Sequence, residues 1–377
     1  MRILIINSEY PPIGGGAGNA SSNLAIQFVS LGHDVTVLTV HFNNLPKNTL
    51  ENGVRVIRLK SLRRRLDQSD ALEQITFMVV GSISTLSLIR TWRPDVILAF
   101  FGVPGGVPAW FAQKIYGIPY VVSLRGGDVP GFRPYDFAMY HRLIGPIVRQ
   151  VWRNASGVIA NSNGLCSLAS EFEKNVEIKV VPNGVDVIRY RPPNDRKWDI
   201  PRMLWVGRLV YQKGLDVLFD SLGGLKEFPW ALTLIGDGPQ REALEESAQE
   251  KNIADRIVFK GWLDKDKLVR YYNESNLFVF PSRHEGMPNA VLEAMASGLP
   301  VIATRIAGNE ELVLPCKTGL LVSPGDTDAL EKALRDLLDN PIRREQMGLA
   351  SRLRVAEHYT WTQAARQYLS LFEIITG

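Results

Sequence analysis

Short apolar runs recur along the chain, and most are followed by a stretch with helical spacing. In the first half, Ile3 to Ile6, Asp34 to Val40, Val54 to Leu59, Asp95 to Phe100, Tyr120 to Leu124, Gly157 to Asn161 and Ile178 to Val181 predict strands. Helices are predicted over Ser21 to Leu31, up to about Arg90, and over Gly106 to Tyr116, Met139 to Asn154 and Gly164 to Glu171. The second half repeats the pattern. Strands are predicted at Met203 to Gly207, Ala231 to Ile235, Ile257 to Phe259, Asn276 to Phe280 and Val301 to Thr304, with helices between them. Three more helices close the chain, the last over Thr362 to Ile375. Repeated strand–helix units of this kind build an α/β fold of largely parallel sheets covered on both faces.

A chain of 377 residues is too long for one ordinary core and suits two domains. The expected boundaries are a Rossmann-like domain over 1–185, a proline-bearing linker over 186–201, a second Rossmann-like domain over 202–360 and a terminal helix over 361–377. With 45% apolar and 22% charged residues the composition is that of a globular protein. The net charge of +4 and pI near 9.0 do not call for a nucleic-acid partner, and suit anionic small molecules or an anionic membrane equally. Cys166 and Cys316 are too few and too far apart for a metal site or disulfide framework, so a reducing cytoplasm is expected.

The first apolar run enters a glycine-rich loop directly, as a buried strand does and a signal peptide does not. No apolar run looks long enough to span a membrane. Ile75 to Ile89 comes nearest, broken by Gly81 and preceded by Lys60 and Arg63-Arg64-Arg65. It reads either as a core helix behind a solvated basic loop or as a membrane-facing surface.

Four stretches carry candidate chemistry. Ser282 to Met295 holds Glu285 on a loop and Glu293 about one turn into the helix that follows, at the carboxyl end of a strand. Open α/β sheets bind nucleotides there, and an ionised carboxylate such as Glu293 can accept both hydroxyl protons of a ribose. Arg208, at a strand end, and Lys213, before the next helix, can converge on one anion. Gly14 to Gly18 forms a loop where phosphate or sugar can approach the backbone. A dinucleotide site would also want an acid at the end of the second strand, where this chain has His41-Phe42-Asn43-Asn44. Finally, Val121 to Asp128 runs from a strand into Gly126-Gly127, flanked by Arg125 and Asp128. These two either pair with each other, or Arg125 binds an anionic acceptor or phosphate.

The Glu-x7-Glu spacing of Glu285 and Glu293, continued through Ala296 to Thr304, resembles the signature of retaining glycosyltransferases of family 4. Arg208 with Lys213 and Val181 to Asp186 extend the resemblance to the whole chain. It implies the GT-B fold, two Rossmann-like domains facing across a cleft, with the last helix crossing back to the first. It implies a retaining hexosyltransferase (EC 2.4) that moves a hexose or N-acetylhexosamine from a nucleotide-diphosphate sugar, preferably a UDP-sugar, to a glycan or lipid-linked acceptor. Arg208 and Lys213 would neutralise the leaving pyrophosphate without metal or other cofactor. Glu293 would bind ribose, Glu285 would contact the sugar, and Gly286, Met287, Pro288 and Asn289 would grip sugar and phosphate. Gly15 and Gly16 would face donor and acceptor. Many relatives have histidine where this chain has Arg125; Arg125 and Asp128 join the candidate catalytic set. A GDP-mannose-dependent mannosyltransferase, a nucleotide-sugar epimerase and a non-catalytic nucleotide-sugar-binding subunit are the alternatives. Cytoplasmic placement, with peripheral contact at the inner face of the membrane, is the matching expectation.

Overall fold

The central strands are buried almost throughout, so both faces of each sheet are covered. The computed structural model describes residues 1–65, 69–132, 134–193 and 200–377. Residues 194–199 of the expected linker therefore lie outside the described residues. Contacts divide the chain into two units, Met1–Asn183 together with Trp361–Gly377, and Gly184–Thr360.

The first unit contains β1 (Arg2–Ile6), α1 (Gly16–Ser30), β2 (Asp34–Val40), β3 (Asn48–Glu51), β4 (Val54–Leu59), α2 (Ala71–Thr91) and β5 (Val96–Phe100). It continues through α3 (Gly106–Tyr116), β6 (Tyr120–Ser123), α4 (Pro134–Asn154), β7 (Gly157–Ala160), α5 (Asn163–Phe172) and β8 (Ile178–Val180). The sheet order is β3-β4-β2-β1-β5-β6-β7-β8, parallel except for the β3–β4 pair. Ile3 and Ile5 of β1 point into a core shared with Phe28 of α1 and with Tyr368 and Phe372 of the terminal helix. Leu4 and Ile6 point the other way, into a core shared with Phe77 of α2, Ala109 of α3, Trp152 of α4 and Leu165 of α5. The period of two thus sorts one strand's side chains onto two helical layers.

The second unit contains β9 (Arg202–Val206), α6 (Leu215–Gly223), β10 (Ala231–Ile235), α7 (Arg241–Glu250), β11 (Ile257–Phe259), α8 (Lys265–Asn273) and β12 (Leu277–Phe280). Then come α9 (Asn289–Ala296), β13 (Val301–Thr304), α10 (Ala307–Leu312), β14 (Gly319–Val322), α11 (Thr327–Asp339) and α12 (Pro341–His358). Its sheet is wholly parallel, in the order β11-β10-β9-β12-β13-β14. The terminal helix, α13 (Trp361–Thr376), packs on α1 in the first unit, where Phe28 meets Phe372 with ring centroids 5.8 Å apart. Val185 and Tyr190 are already buried in the second core, within and beside the start of the expected linker.

Four local expectations are corrected. Helix α1 starts at Gly16 rather than Ser21, because small residues let its first turn pack tightly: a Cβ at Gly18 would lie 2.9 Å from the Ile13 carbonyl oxygen. Strand β3 was not expected. It is the edge strand of a hairpin closed by Asn52 (φ 51) and Gly53 (φ 80), the two left-handed residues that a type I′ turn needs. Strand β14 was also missed, being a four-residue edge strand. Helix α2 is longer than its apolar run suggested, at 21 residues, because Asp70 and Glu73 form a capping box that starts it early. It is therefore long and apolar enough to cross a membrane by length and composition.

Candidate active site

In the second unit, β9 is followed by Gly207-Arg208, and the chain makes a short turn over Tyr211–Lys213 before α6. Gly214 sits at φ +66, and a Cβ there would lie 2.1 Å from the Pro281 carbonyl oxygen. Only glycine lets this turn lie so closely on the loop that follows β12. Two hydrogen bonds then seam the loops together: Gln212 Nε2 donates to the His284 carbonyl (2.5 Å), and the Arg283 amide donates to the Gln212 carbonyl (2.7 Å). Arg283 also grips Asp216 of α6 through both guanidinium ends (2.9 and 2.6 Å) and lies 4.0 Å above the Tyr211 ring. Burial pushes the Asp216 carboxyl up, but the Arg283 contacts more than offset it and hold it below its usual value.

This scaffold brings Lys213 and Glu285 together. Lys213 Nζ lies 2.6 Å from Glu285 Oε1, with both side chains largely shielded, and 5.0 Å from the centre of the Phe280 ring. Arg208 is half-buried, and its guanidinium makes no hydrogen bond or ion pair among the described residues. A cation with no internal partner is available to an external anion.

Beyond Glu285, the residues Gly286, Met287 and Pro288 are buried and lead into α9. A Cβ on Gly308 of α10 would lie 2.2 Å from the Gly286 carbonyl oxygen, so that glycine serves close packing of the loop. Helix α9 begins at Asn289 with no side-chain cap from Pro288 and no acid in its first turn, so the helix dipole turns its positive end toward this loop. Glu293 is partly buried on this helix. The Tyr272 hydroxyl donates to its Oε2 (3.0 Å), and Tyr190 meets Tyr272 edge-on with centroids 5.5 Å apart. Burial pushes the Glu293 carboxyl up, opposed by the Tyr272 donor and by the nearby Lys265 and Arg189 charges. Glu293 is thus already engaged, although a carboxylate holding one such bond keeps acceptor capacity for a diol.

The first unit carries the remaining sequence-predicted residues. Gly15 precedes α1 and Gly16 opens it, with no side-chain cap. A Cβ at Gly15 would meet nothing within 4 Å, and its amide donates to Glu9 Oε2 at 3.4 Å. Of the two readings of Arg125 and Asp128, the side-chain ion pair does not form. Asp128 is 3% exposed and accepts the amides of Gly102 (2.9 Å), Arg125 (3.0 Å) and Gly126 (3.1 Å), so it ties two loops together rather than presenting a free carboxylate. Arg125 turns elsewhere, donating to Asn183 Oδ1 (2.6 Å) and more weakly to the Tyr368 hydroxyl (3.4 Å), with its guanidinium 4.4 Å above the Phe100 ring. His141 Nε2 lies 2.9 Å from the Gly127 carbonyl oxygen on the same loop.

Sequence reasoning missed Tyr190 and Tyr272 beside Glu293, and Gln212, Arg283 and Asp216 beneath Lys213 and Glu285. Arg283 had a signal in its position two residues before Glu285. The tyrosines had none: helical spacing reads Tyr272 as core, and Tyr190 falls in the expected linker.

Two family models together match most of the chain: a glycosyl transferase 4-like domain over residues 15–184 and glycosyl transferases group 1 over residues 187–354. A glycogen synthase of Mycobacterium tuberculosis is 27% identical, over 98% of this chain and 95% of the relative. A GDP-mannose-dependent alpha-(1-6)-phosphatidylinositol monomannoside mannosyltransferase of Mycolicibacterium smegmatis is 33% identical, over 55% of this chain and 59% of the relative. Among solved structures, a sucrose-phosphate synthase from Thermosynechococcus elongatus matches with a TM-score of 0.89 at 24% identity, covering 99% of this chain and 98% of that one.

Proposed function

The chain belongs to the GT4-type glycosyltransferases of GT-B fold, and we propose that it is a retaining hexosyltransferase using a UDP-sugar. The transferred group is a hexose or N-acetylhexosamine, and the acceptor is a glycan or a lipid-linked glycan. The observation that carries the reading is the Lys213–Glu285 contact of 2.6 Å, on a loop entering α9. Glu285 fixes the ammonium where a departing diphosphate develops charge, and a preorganised cation there acts without reorganising during reaction. Arg208, without an internal partner, takes the same phosphates. Glu293 accepts the ribose hydroxyls while Tyr272 holds its carboxylate in place.

In the proposed reaction the bond between the sugar's anomeric carbon and the diphosphate oxygen breaks, and its electron pair leaves with the phosphate. The acceptor oxygen bonds to the same face of that carbon, and its proton passes to the departing phosphate oxygen. No metal is required, since Arg208, Lys213 and the α9 N-terminus supply the positive field. In the first unit, the missing side chain of Gly15 leaves room beside Gly16 for sugar or phosphate. Arg125, held by Asn183, Tyr368 and the Phe100 ring, and Asp128, held by three backbone amides, shape the loop on the acceptor side.

A GDP-mannose donor is the second reading, favoured by the mannosyltransferase relative, whose match spans about half of this chain. Thermal unfolding in EDTA with saturating UDP, GDP or ADP separates the two. A ligand at about 100 times its Kd adds roughly 2.7 kcal/mol to the state that binds it. Stabilisation by UDP, strongly reduced in Arg208→Ala, is the expected result; stabilisation by GDP alone selects the second reading. A nucleotide response that appears only with a divalent cation would overturn metal independence. Retention is tested by the anomeric NMR coupling of the product, and an inverted product would refute it.

A further inference from the structure

The outward side of the first unit's helical layer is apolar. Helix α2 turns Phe77, Gly81, Thr85 and Leu88 toward the sheet. At nearly the same spacing, Leu72, Ile75, Val79 and Ile83 occupy the opposite side, each between half and two-thirds exposed. No charged residue occurs between Glu73 and Arg90. On α4, Met139 and Leu143 are 75% and 72% exposed, with Ile147 one turn further on; on α3, Phe111 and Ile115 are exposed. The three helices share one layer: Gly81 of α2 packs on Pro108 of α3, and Tyr140 of α4 donates its hydroxyl to Gln74 of α2 at 2.5 Å. Single exposed apolar side chains are ordinary, but a patch spread over three neighbouring helices marks an interaction surface.

Charge identifies the occupant. Residues 60–154 contain twelve basic and six acidic residues. Lys60, Arg65, Lys114 and Arg142 are exposed and form no ion pair among the described residues. The arginine triplet behaves differently from its sequence expectation: the Arg63 side chain is 1% exposed and lies 3.9 Å from the buried Glu73, while Arg64 is paired with Asp70 at 3.6 Å. The basic character therefore comes from Lys60, Lys114, Arg142 and one member of the triplet, Arg65, rather than from the triplet as a block.

We infer that the outer face of α2, α3 and α4 docks on an anionic lipid surface, lying in its plane. Although α2 has the length of a membrane span, its inner side is committed to the core through Phe77. It also connects β4 to β5 of one sheet, so it rests on the interface rather than crossing it. A second copy of the chain suits the face less well, because an isologous contact brings the same excess of positive charge to both sides.

Co-sedimentation with phosphatidylcholine vesicles, with and without phosphatidylglycerol, tests the inference. Binding is expected to the phosphatidylglycerol vesicles and to weaken with salt. It falls roughly fivefold for each of Lys114→Ser and Arg142→Ser, and is lost in the triple variant Ile75→Ser, Val79→Ser, Ile83→Ser. Arg64→Ser should bind as the parent does. The triple variant changes only exposed side chains, and an unchanged melting temperature and unchanged nucleotide response confirm that its fold and donor site are intact. No binding to anionic vesicles overturns the inference, as does binding indifferent to the triple variant. Lipid-free dimers that the same variant dissociates would assign the face to a second copy instead.

Discussion

The carboxyl edges of the two sheets use charge in opposite ways. In the second unit Lys213 and Glu285 face each other, Lys213 also lying over the Phe280 ring, and the Arg208 guanidinium has no hydrogen bond or ion pair among the described residues. In the first unit Asp128 is consumed by three backbone amides, and Arg125 by Asn183, Tyr368 and the Phe100 ring. One edge keeps charge for a ligand, whereas the other converts charge into loop shape. Removing a charge should therefore cost function at the first kind of edge and stability at the second.

The largest contrast is expected from Glu285→Ala. It frees Lys213 from its anchor and should lower kcat by about 100- to 1,000-fold, as loss of a preorganised group does, with little change in melting temperature. A large melting shift with retained activity would reverse the comparison. Arg208→Ala should weaken nucleoside-diphosphate binding by about 1.5–3 kcal/mol, the range of a charge-assisted contact, measured by isothermal titration. On the other edge, Asp128→Asn keeps one carbonyl acceptor and loses the other. Its expected cost is about 1–3 kcal/mol of stability, read by denaturant unfolding, with nucleotide affinity unchanged.

The smallest effect concerns Glu293, which stands between the two kinds. Burial raises its carboxyl above the ordinary value of 4.5, so the folded state holds the proton more tightly than the unfolded chain. Stability from this group is complete below the ordinary value, declines as pH rises toward the folded value, and is flat above it. Glu293→Gln should therefore melt higher than the parent at neutral pH and lose that advantage in acid, while binding nucleotide more weakly. A melting difference independent of pH would remove ionisation as its cause.

Much of this was legible in the sequence for a physical reason. Fully buried parallel strands must be continuously apolar, so β1, β5, β9 and β12 announce themselves, and glycine loops follow them. Edge strands bury little, which hid β14; β3 was marked only by Asn52-Gly53. At the site, Lys213 and Glu285 were readable as charges at strand ends. The partner of Asp128 was not, because the Gly102 amide belongs to every residue type alike and lies 26 residues away. Tyr272 was unreadable for a related reason: its ring packs as core while its hydroxyl alone reaches Glu293. The triplet Arg63-Arg64-Arg65 misled because Glu73 and Asp70, in and before the next helix, capture two of its members.

The return of α13 to the first unit has a consequence for biosynthesis. Tyr368 on this helix lies 2.7 Å from Ser123 Oγ and donor distance from Arg125, and Thr362 donates to Gln27. During synthesis on the ribosome, all residues of the second unit emerge before these contacts can form. The unit made first in order of sequence is thus the one completed last, and Arg125 acquires its final surroundings only after the segment that carries Lys213 and Glu285 has been made.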